Sequence, residues 1–466
     1  MRMVDNIVEA VVADFEAKHL ERLIKYMRQP SISATGEGIE EMTRILRDDI
    51  DELGGEGEIV EGDEYPIVYG KFDAGAPRTL LVHTMYDVAL TGEPEWVVEP
   101  FSAARMHWKD FGECILGRGA EDTKSQVALI YNAIAAYRDA GVPLPVNVIL
   151  VQEASELGSG SIGGFVRDHL DELKQADVAW WPFVTGLPNR KAVVHLGAKG
   201  LVTGKMRCTA GDWGGPTESE VHSSNSNLVA NPVMYLVKAL KSIRSDDDRD
   251  VLIPDFYSDA TPPSDEDLAL LEDLAKRIDQ QGLLSSLGVE RLKQEELLDA
   301  LNDYSFKSEF NISGLKGGEV IEGGHKAIVP REAVASIDLR PIGQDVDRLI
   351  GCIESYLASE FPAVRWETVN KYEGDRMPFS NWAVQEFVGV YRDMGMDPEI
   401  WPTSAAAIAN KLWTRTVGVP WLMGAPAHAA GKHAANEYII VDSFRDACEF
   451  AVRLLDRLGS ATSPAA

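Results

Sequence analysis

An acidic residue on a glycine-flexed turn is the first feature of this 466-residue chain that could do chemistry. The stretch Gly117-Arg-Gly-Ala-Glu-Asp-Thr-Lys-Ser125 carries Asp122 at its centre, between a predicted strand (Cys114 to Leu116) and a helical run from Gln126 to Tyr137. Backbone that bends at glycine can fold closely round a cation, and a carboxylate placed there is suited to hold one. Taken alone, the same residues read as an N-cap with a charged first turn. Three further stretches shift the balance: Leu81 to Val88, Val151 to Ser159 and Lys432 to Glu437 carry the partners that a metal-centred hydrolase needs.

These stretches must be held by a scaffold. Helical periodicity runs from Val4 to about Met27 and from Glu40 to Leu53. Short apolar runs follow at Glu58 to Glu61, Pro66 to Phe72, Thr79 to His83, Asn147 to Val151 and Val178 to Trp181, alternating with helical stretches at Gln126 to Ala140 and Ile162 to Leu173. This alternation predicts an α/β fold with a mostly parallel sheet flanked by helices, whose catalytic groups gather at the carboxyl ends of strands. Around Gly197-Ala-Lys-Gly200 the texture changes to alternating strands, a turn-rich segment from His222 to Asn231, a helix from Pro232 and an acidic helical stretch from Ser264 to Asp303. The expected organisation is a catalytic domain in two parts, 1–199 and 375–466, with an α+β dimerisation or lid domain inserted at 200–374.

Composition narrows the partners. A formal charge of -29 argues against nucleic acid and anionic membrane surfaces. The four cysteines are far apart and form no CxxC pair, which suggests reduced thiols and a cytoplasmic protein. The opening MRMVDNIVEAVVADFEAKHLERL is acidic and amphipathic, unlike a signal peptide, and no apolar run approaches the ~18 residues of a membrane span.

Together the segments resemble the co-catalytic zinc hydrolases that include carnosinase, cytosolic dipeptidases, aminoacylase, succinyl-diaminopimelate desuccinylase and glutamate carboxypeptidase. Met85-Tyr-Asp-Val88 with Pro94-Glu-Trp and Pro100-Phe is similar to the family's HxDV…W…PF. Gly117-Arg-Gly-Ala-Glu-Asp-Thr-Lys is similar to GRGxxDxKG, Glu156-Leu-Gly-Ser159 to EExGS, and His222-Ser-Ser with Asn231-Pro to HSG…NP. Val329-Pro with Ile337-Asp-Leu-Arg340-Pro and His433-Ala-Ala-Asn-Glu437 complete the order. The resemblance implies that Asp122 is the ligand shared by two ions and that Glu156 and His433 are the further ligands of one of them. A carboxylate pair and an imidazole leave a position open for reactants, as in catalytic rather than structural sites.

The departures from the family pattern cluster at the other ion. Its histidine position holds Met85, and its aspartate position, in Val184-Thr-Gly186, holds Val184. A thioether is a poor ligand for a borderline divalent ion and valine is none. One zinc or manganese ion per chain is therefore expected. His83, two residues from Met85 on the same strand face, could rebuild the lost site or could simply be a packed strand histidine. Asp87, which in the family orients the missing histidine, is free to serve the sheet end or to hydrogen-bond His83. The general-base position holds Ser155, leaving Glu153 as the substitute and Glu121 as a weaker one.

The resemblance also implies that His222 donates to the developing oxyanion across a homodimer, and that Arg340 meets a substrate carboxylate, to which Asn311, two residues beyond Glu309, could add an amide contact. Arg340 has the alternative of an ion pair with Asp338. Ser404 follows Pro402-Thr where related dipeptidases have a Gly-Gly-Ser turn. The leading reading is a hydrolase of a C–N bond in a small-molecule substrate: a dipeptide, an N-acyl amino acid or a related amide. An aminohydrolase of aromatic amines, a conventional di-zinc dipeptidase and a catalytically silent dimeric binding protein are the alternatives.

Overall fold

The computed structural model describes residues 3–154, 162–187, 189 and 191–461. The chain packs as two units, Met1–Gly197 with Met377–Pro402 and Leu412–Ala466, and Ala198–Arg376 with Thr403–Lys411.

The first unit is built on an eight-stranded sheet in the order Glu56–Val60, Ile67–Phe72, Asn147–Glu153, Thr79–Met85, Val178–Val184, Trp421–Ala425, Val193–His195, Glu399–Trp401. Its four central strands, from Asn147–Glu153 to Trp421–Ala425, run parallel, as the strand and helix alternation predicts. The two strands at the Glu56 edge are antiparallel. Central strands are buried on both faces, so they read as continuous apolar runs rather than alternating ones. Helix Lys124–Asp139 is buried from Lys124 to Tyr137, and packs against both the sheet and the long helix Val441–Ser460. A helix enclosed on all sides has no solvent face, which is why its polar residues Gln126 and Asn132 are fully buried and hydrogen-bonded. Trp180, Trp413 and Trp421 lie in this core.

The strand before Asp122 is not part of the main sheet, contrary to expectation. Glu113–Leu116 belongs to a smaller antiparallel sheet with Ala104–His107, Tyr438–Ile440 and Ala429–Ala430. Apolar residues predict a strand but say nothing of which sheet it joins.

The core of the second unit follows the order β-α-β-β-α-β, with strands Leu201–Thr209, Glu309–Lys316, Glu332–Arg340 and Val364–Tyr372 in one antiparallel sheet and the further helices Asp265–Arg277, Gln280–Leu287 and Leu297–Phe306 preceding the second of these strands. Strict alternation along Glu332–Arg340 buries Ala333, Ala335, Ile337 and Leu339 under helices Pro232–Ile243 and Val346–Glu360. Residues 403–411 belong to this unit rather than to the first: strand Ser404–Ala407 pairs with Ala198–Lys199 and carries Ser404 there.

Candidate metal centre

Antiparallel pairing brings two distant loops together. Leu116 pairs with Tyr438, so the chain leaving one strand at Gly117 runs beside the chain entering the other at Glu437, and the Gly117 N–H donates to the Glu437 carbonyl at 2.9 Å. The loop then wraps round the Glu437 side chain. Its Oε1 accepts the N–H groups of Glu121 (2.7 Å) and Asp122 (2.9 Å), and its Oε2 accepts Gly119 N–H (3.1 Å) and Arg118 Nη1 (2.9 Å). Gly119 sits at φ +92°, where a Cβ would come within 2.5 Å of Lys124 Cγ, so only glycine closes this turn. Burial pushes the Glu437 carboxyl up to about 7, against the pull of the N–H donors and Arg118. Lys124 is also fully buried, donating to the Ser31 hydroxyl and to the Tyr86 carbonyl.

In this frame Asp122 Oδ2 lies 3.9 Å from His433 Nε2. His433 occupies the left-handed region at φ +58°, uncommon outside glycine, and its side chain is half exposed while Asp122 is buried. A carboxylate oxygen and an imidazole nitrogen at this spacing can reach one divalent ion with small side-chain rotations, and both suit zinc or manganese. Glu156, the third ligand expected from sequence, lies outside the described residues, as does Ser155. Among the described residues no group of three or more His, Cys, Asp or Glu side chains converges on one point. Beside Asp122, Glu121 accepts the Lys432 N–H at 2.8 Å, and burial pushes its carboxyl up to about 7.

Round the position of a second ion the described side chains pair with one another instead of converging on a point. Asp122 Oδ1, the oxygen a bridging ligand would offer, accepts Gln126 Nε2 at 3.2 Å. Both ring nitrogens of His83 are engaged: its Nε2 meets Glu153 Oε1 at 2.8 Å, and its Nδ1 accepts the Trp413 indole N–H at 3.3 Å. An indole N–H only donates, so His83 is the tautomer protonated on Nε2, and it donates to Glu153. His83 thus turns to Glu153 and Trp413 rather than to Asp87. Parallel pairing sets Met85 directly beside Glu153, and Val184 ends the strand that pairs with the other edge of Met85's strand. Glu153 is buried, and its Oε2 has no hydrogen-bond partner among the described residues. Asp87 is fully buried, with its carbonyl accepting the Thr123 hydroxyl at 2.9 Å.

In the second unit, His222 is exposed and its Nδ1 accepts the Ser224 N–H at 3.2 Å, which leaves the proton on Nε2 as an outward donor. Arg340 takes its alternative: the guanidinium meets Asp338 at 3.0 and 3.1 Å. Asn311, opposite Asp338 in the sheet, is exposed. Arg340 also lines a cavity of about 330 Å³ with Lys199, Tyr304, Lys307 and Glu309. Lys199 is buried there with its Nζ 3.3 Å from the Lys307 carbonyl, and burial pushes its ammonium down to about 8. Neither Lys199 nor Gln126 stands out in the sequence, since neither departs from the local pattern of its strand or helix.

A mostly parallel α/β unit with a carboxylate and an imidazole on adjoining loops, in one chain with an antiparallel α+β unit, is the architecture of a metallopeptidase class. Residues 84–457 match Peptidase family M20/M25/M40, and the chain belongs to that family. It is similar to the Beta-Ala-His dipeptidase of Rattus norvegicus, 25% identical over 261 residues, 53% of this chain and 48% of that one. The chain thus spans about half the length of the curated relatives it matches first. Among solved structures it resembles an M20 family metallo-carboxypeptidase from Sulfolobus solfataricus, with TM-score 0.85 and 27% identity over 95% of this chain and 99% of that one. Human carnosine dipeptidase 1 shares the fold at TM-score 0.78, with 16% identity over 98% and 100% of the two chains.

Proposed function

We propose that the chain hydrolyses the C–N bond of a small peptide or N-acyl amino acid with one zinc or manganese ion held by Asp122, His433 and Glu156. The observation that carries this reading is the convergence of Asp122 Oδ2 and His433 Nε2 at 3.9 Å, while Oδ1 is taken by an amide. When bound, the ion supplies Lewis-acid polarisation and lowers the pKa of water.

The protein groups supply the rest. Glu153 is the proton acceptor, and its buried Oε2 is the atom left for that task because His83 holds Oε1. His222 donates a hydrogen bond from its Nε2–H to the oxyanion as the carbonyl carbon becomes tetrahedral, and as in the resembled hydrolases it acts across a homodimer. Arg340 and Asn311 take the substrate carboxylate once the guanidinium leaves Asp338. The relatives are named a dipeptidase and a metallo-carboxypeptidase, and a dipeptide or a peptide cleaved at its C-terminus carries a free carboxylate, which supports this class. No helix among the described residues is long and apolar enough to cross a membrane.

The test is elemental metal content per chain after dialysis against zinc or manganese, followed by hydrolysis of dipeptides and N-acyl amino acids. One ion per chain with hydrolysis supports the reading. Two ions would favour a conventional di-metal dipeptidase, and a chain that binds none would be a silent binding protein.

A further inference from the structure

The second ion position is closed by a hydrogen-bonded chain of side chains, and its central member is Gln126. Gln126 is fully buried in the first turn of helix Lys124–Asp139, four residues after Asp122. Its Oε1 accepts the Trp181 indole N–H at 2.6 Å, and its Nε2 reaches Asp122 Oδ1 at 3.2 Å and the Glu121 carbonyl at 3.4 Å. The orientation of the amide follows from chemistry. An indole N–H donates only, so the amide oxygen must face Trp181 and the NH₂ must face the carboxylate. Trp181 is itself fixed in the sheet on strand Val178–Val184, buried at 5% exposure, so the amide cannot simply swing away.

An ionised carboxylate oxygen is acceptor-only and attracts either a cation or an N–H donor. At Oδ1 the protein has supplied the donor. The outcome differs from plain loss of ligands at Met85 and Val184: even if those ligands were put back, an incoming ion would meet the Gln126 NH₂ on the oxygen it needs to share. Two consequences follow. Asp122 is held as a one-oxygen ligand, with Oδ2 directed at His433. The buried Oδ1, which would otherwise be left uncompensated, is satisfied without an ion.

We infer that Gln126, aimed by Trp181, is the positioning residue that restricts this site to a single ion by occupying the Asp122 oxygen a second ion would bridge. This rests on the single-ion reading above and adds the device that enforces it.

The experiment is metal stoichiometry in three full-length proteins, measured by elemental analysis after zinc loading and dialysis, with thermal melting as the check of folding. The wild type is expected to hold one ion. Met85→His/Val184→Asp is expected to stay at one, and the same protein with Gln126→Ala to reach two. Two ions in the double variant, or one ion in a folded triple variant, overturns the inference while leaving the single-ion reading in place. No ion in the wild type overturns both. A second measurement covers a triple variant that does not fold: Gln126→Ala alone, loaded with cobalt(II), is expected to shift the visible ligand-field bands as Asp122 gains a second free oxygen. Bands identical to those of cobalt-loaded wild type overturn the role of Gln126.

Discussion

The Glu437 carboxylate is the post round which the Asp122 loop is wound: it accepts the Asp122 N–H at 2.9 Å and the Arg118 guanidinium at 2.9 Å, with both ionic side chains fully buried. It sets where Asp122 points without touching substrate. Glu437→Gln keeps the shape, yet its NH₂ must face Arg118 or a backbone N–H, leaving donors opposed. Breaking a buried pair in this way costs about 3 kcal/mol or more. The expected outcome is a lowered melting temperature together with metal affinity weakened by about tenfold or more. Melting and metal titration on the same preparation check both. An unchanged affinity in a folded variant would show that the loop finds its course without Glu437.

Asp122→Ala and His433→Ala remove one donor each from the proposed centre. Each is expected to weaken zinc or manganese binding by more than about a hundredfold, since a three-ligand site loses both enthalpy and chelation. Isothermal titration with either metal reads this directly. Wild-type affinity in both variants would count decisively against the centre.

Much of the proposed centre is legible in the sequence because the residues assigned to it sit in short, turn-bound motifs. Asp122 follows two glycines whose spacing already demands a sharp turn, and His433 stands four residues before Glu437. What brings them together is the pairing of Leu116 with Tyr438, a contact between residues far apart in the chain, and periodicity carries no information on it. The parallel sheet is readable for the same reason that its register is not. Apolar runs at Thr79 to His83 and Asn147 to Val151 predict strands, but only the register sets Met85 against Glu153 and so delivers Glu153 to His83. Gln126 is hidden more completely, because a polar residue in the first turn of a helix reads as solvent-facing until the helix is seen to be enclosed.

Glu153→Gln tests the proposed proton acceptor. Replacing the carboxylate by its amide removes basicity and little else, so kcat is expected to fall by about 10²- to 10⁴-fold with metal content unchanged. Steady-state kinetics with matched elemental analysis separates this from loss of the ion. A kcat within about threefold of wild type would move the role to another group, and Glu121, beside Asp122, is next in line.

Lys199 gives a pH signature in stability. Its ammonium is buried in the second unit, and its folded pKa of about 8 is below the ordinary 10.5, chiefly through burial. Between those values the unfolded chain holds the proton and the folded chain does not, so folded stability gains as pH rises from about 8 to about 10.5. Below pH 8 both states are protonated and the full cost of the buried charge remains. The gain is at most about 3 kcal/mol. Lys199→Met removes this dependence. The melting temperature of the wild type relative to Lys199→Met is expected to rise across that window and to be flat below it. A constant difference from pH 7 to 10 would show that the ammonium is solvated.

Arg340 and Asp338 set the last expectation, because the guanidinium proposed for the substrate carboxylate is already engaged by an acid two residues away. Substrate must compete for it. Asp338→Asn keeps the side-chain shape and withdraws the competing charge, freeing both parallel donors of the fork. The pair is partly exposed, which screens its strength to about 1 kcal/mol. KM for a substrate with a free carboxylate is therefore expected to fall about threefold to fivefold with kcat unchanged, while KM for the matching C-terminal amide stays where it is. Arg340→Met should raise KM for the carboxylate substrate alone. Equal effects of Asp338→Asn on acid and amide substrates would mean that Arg340 serves the sheet, and that another cation of the same cavity, such as Lys199, receives the carboxylate.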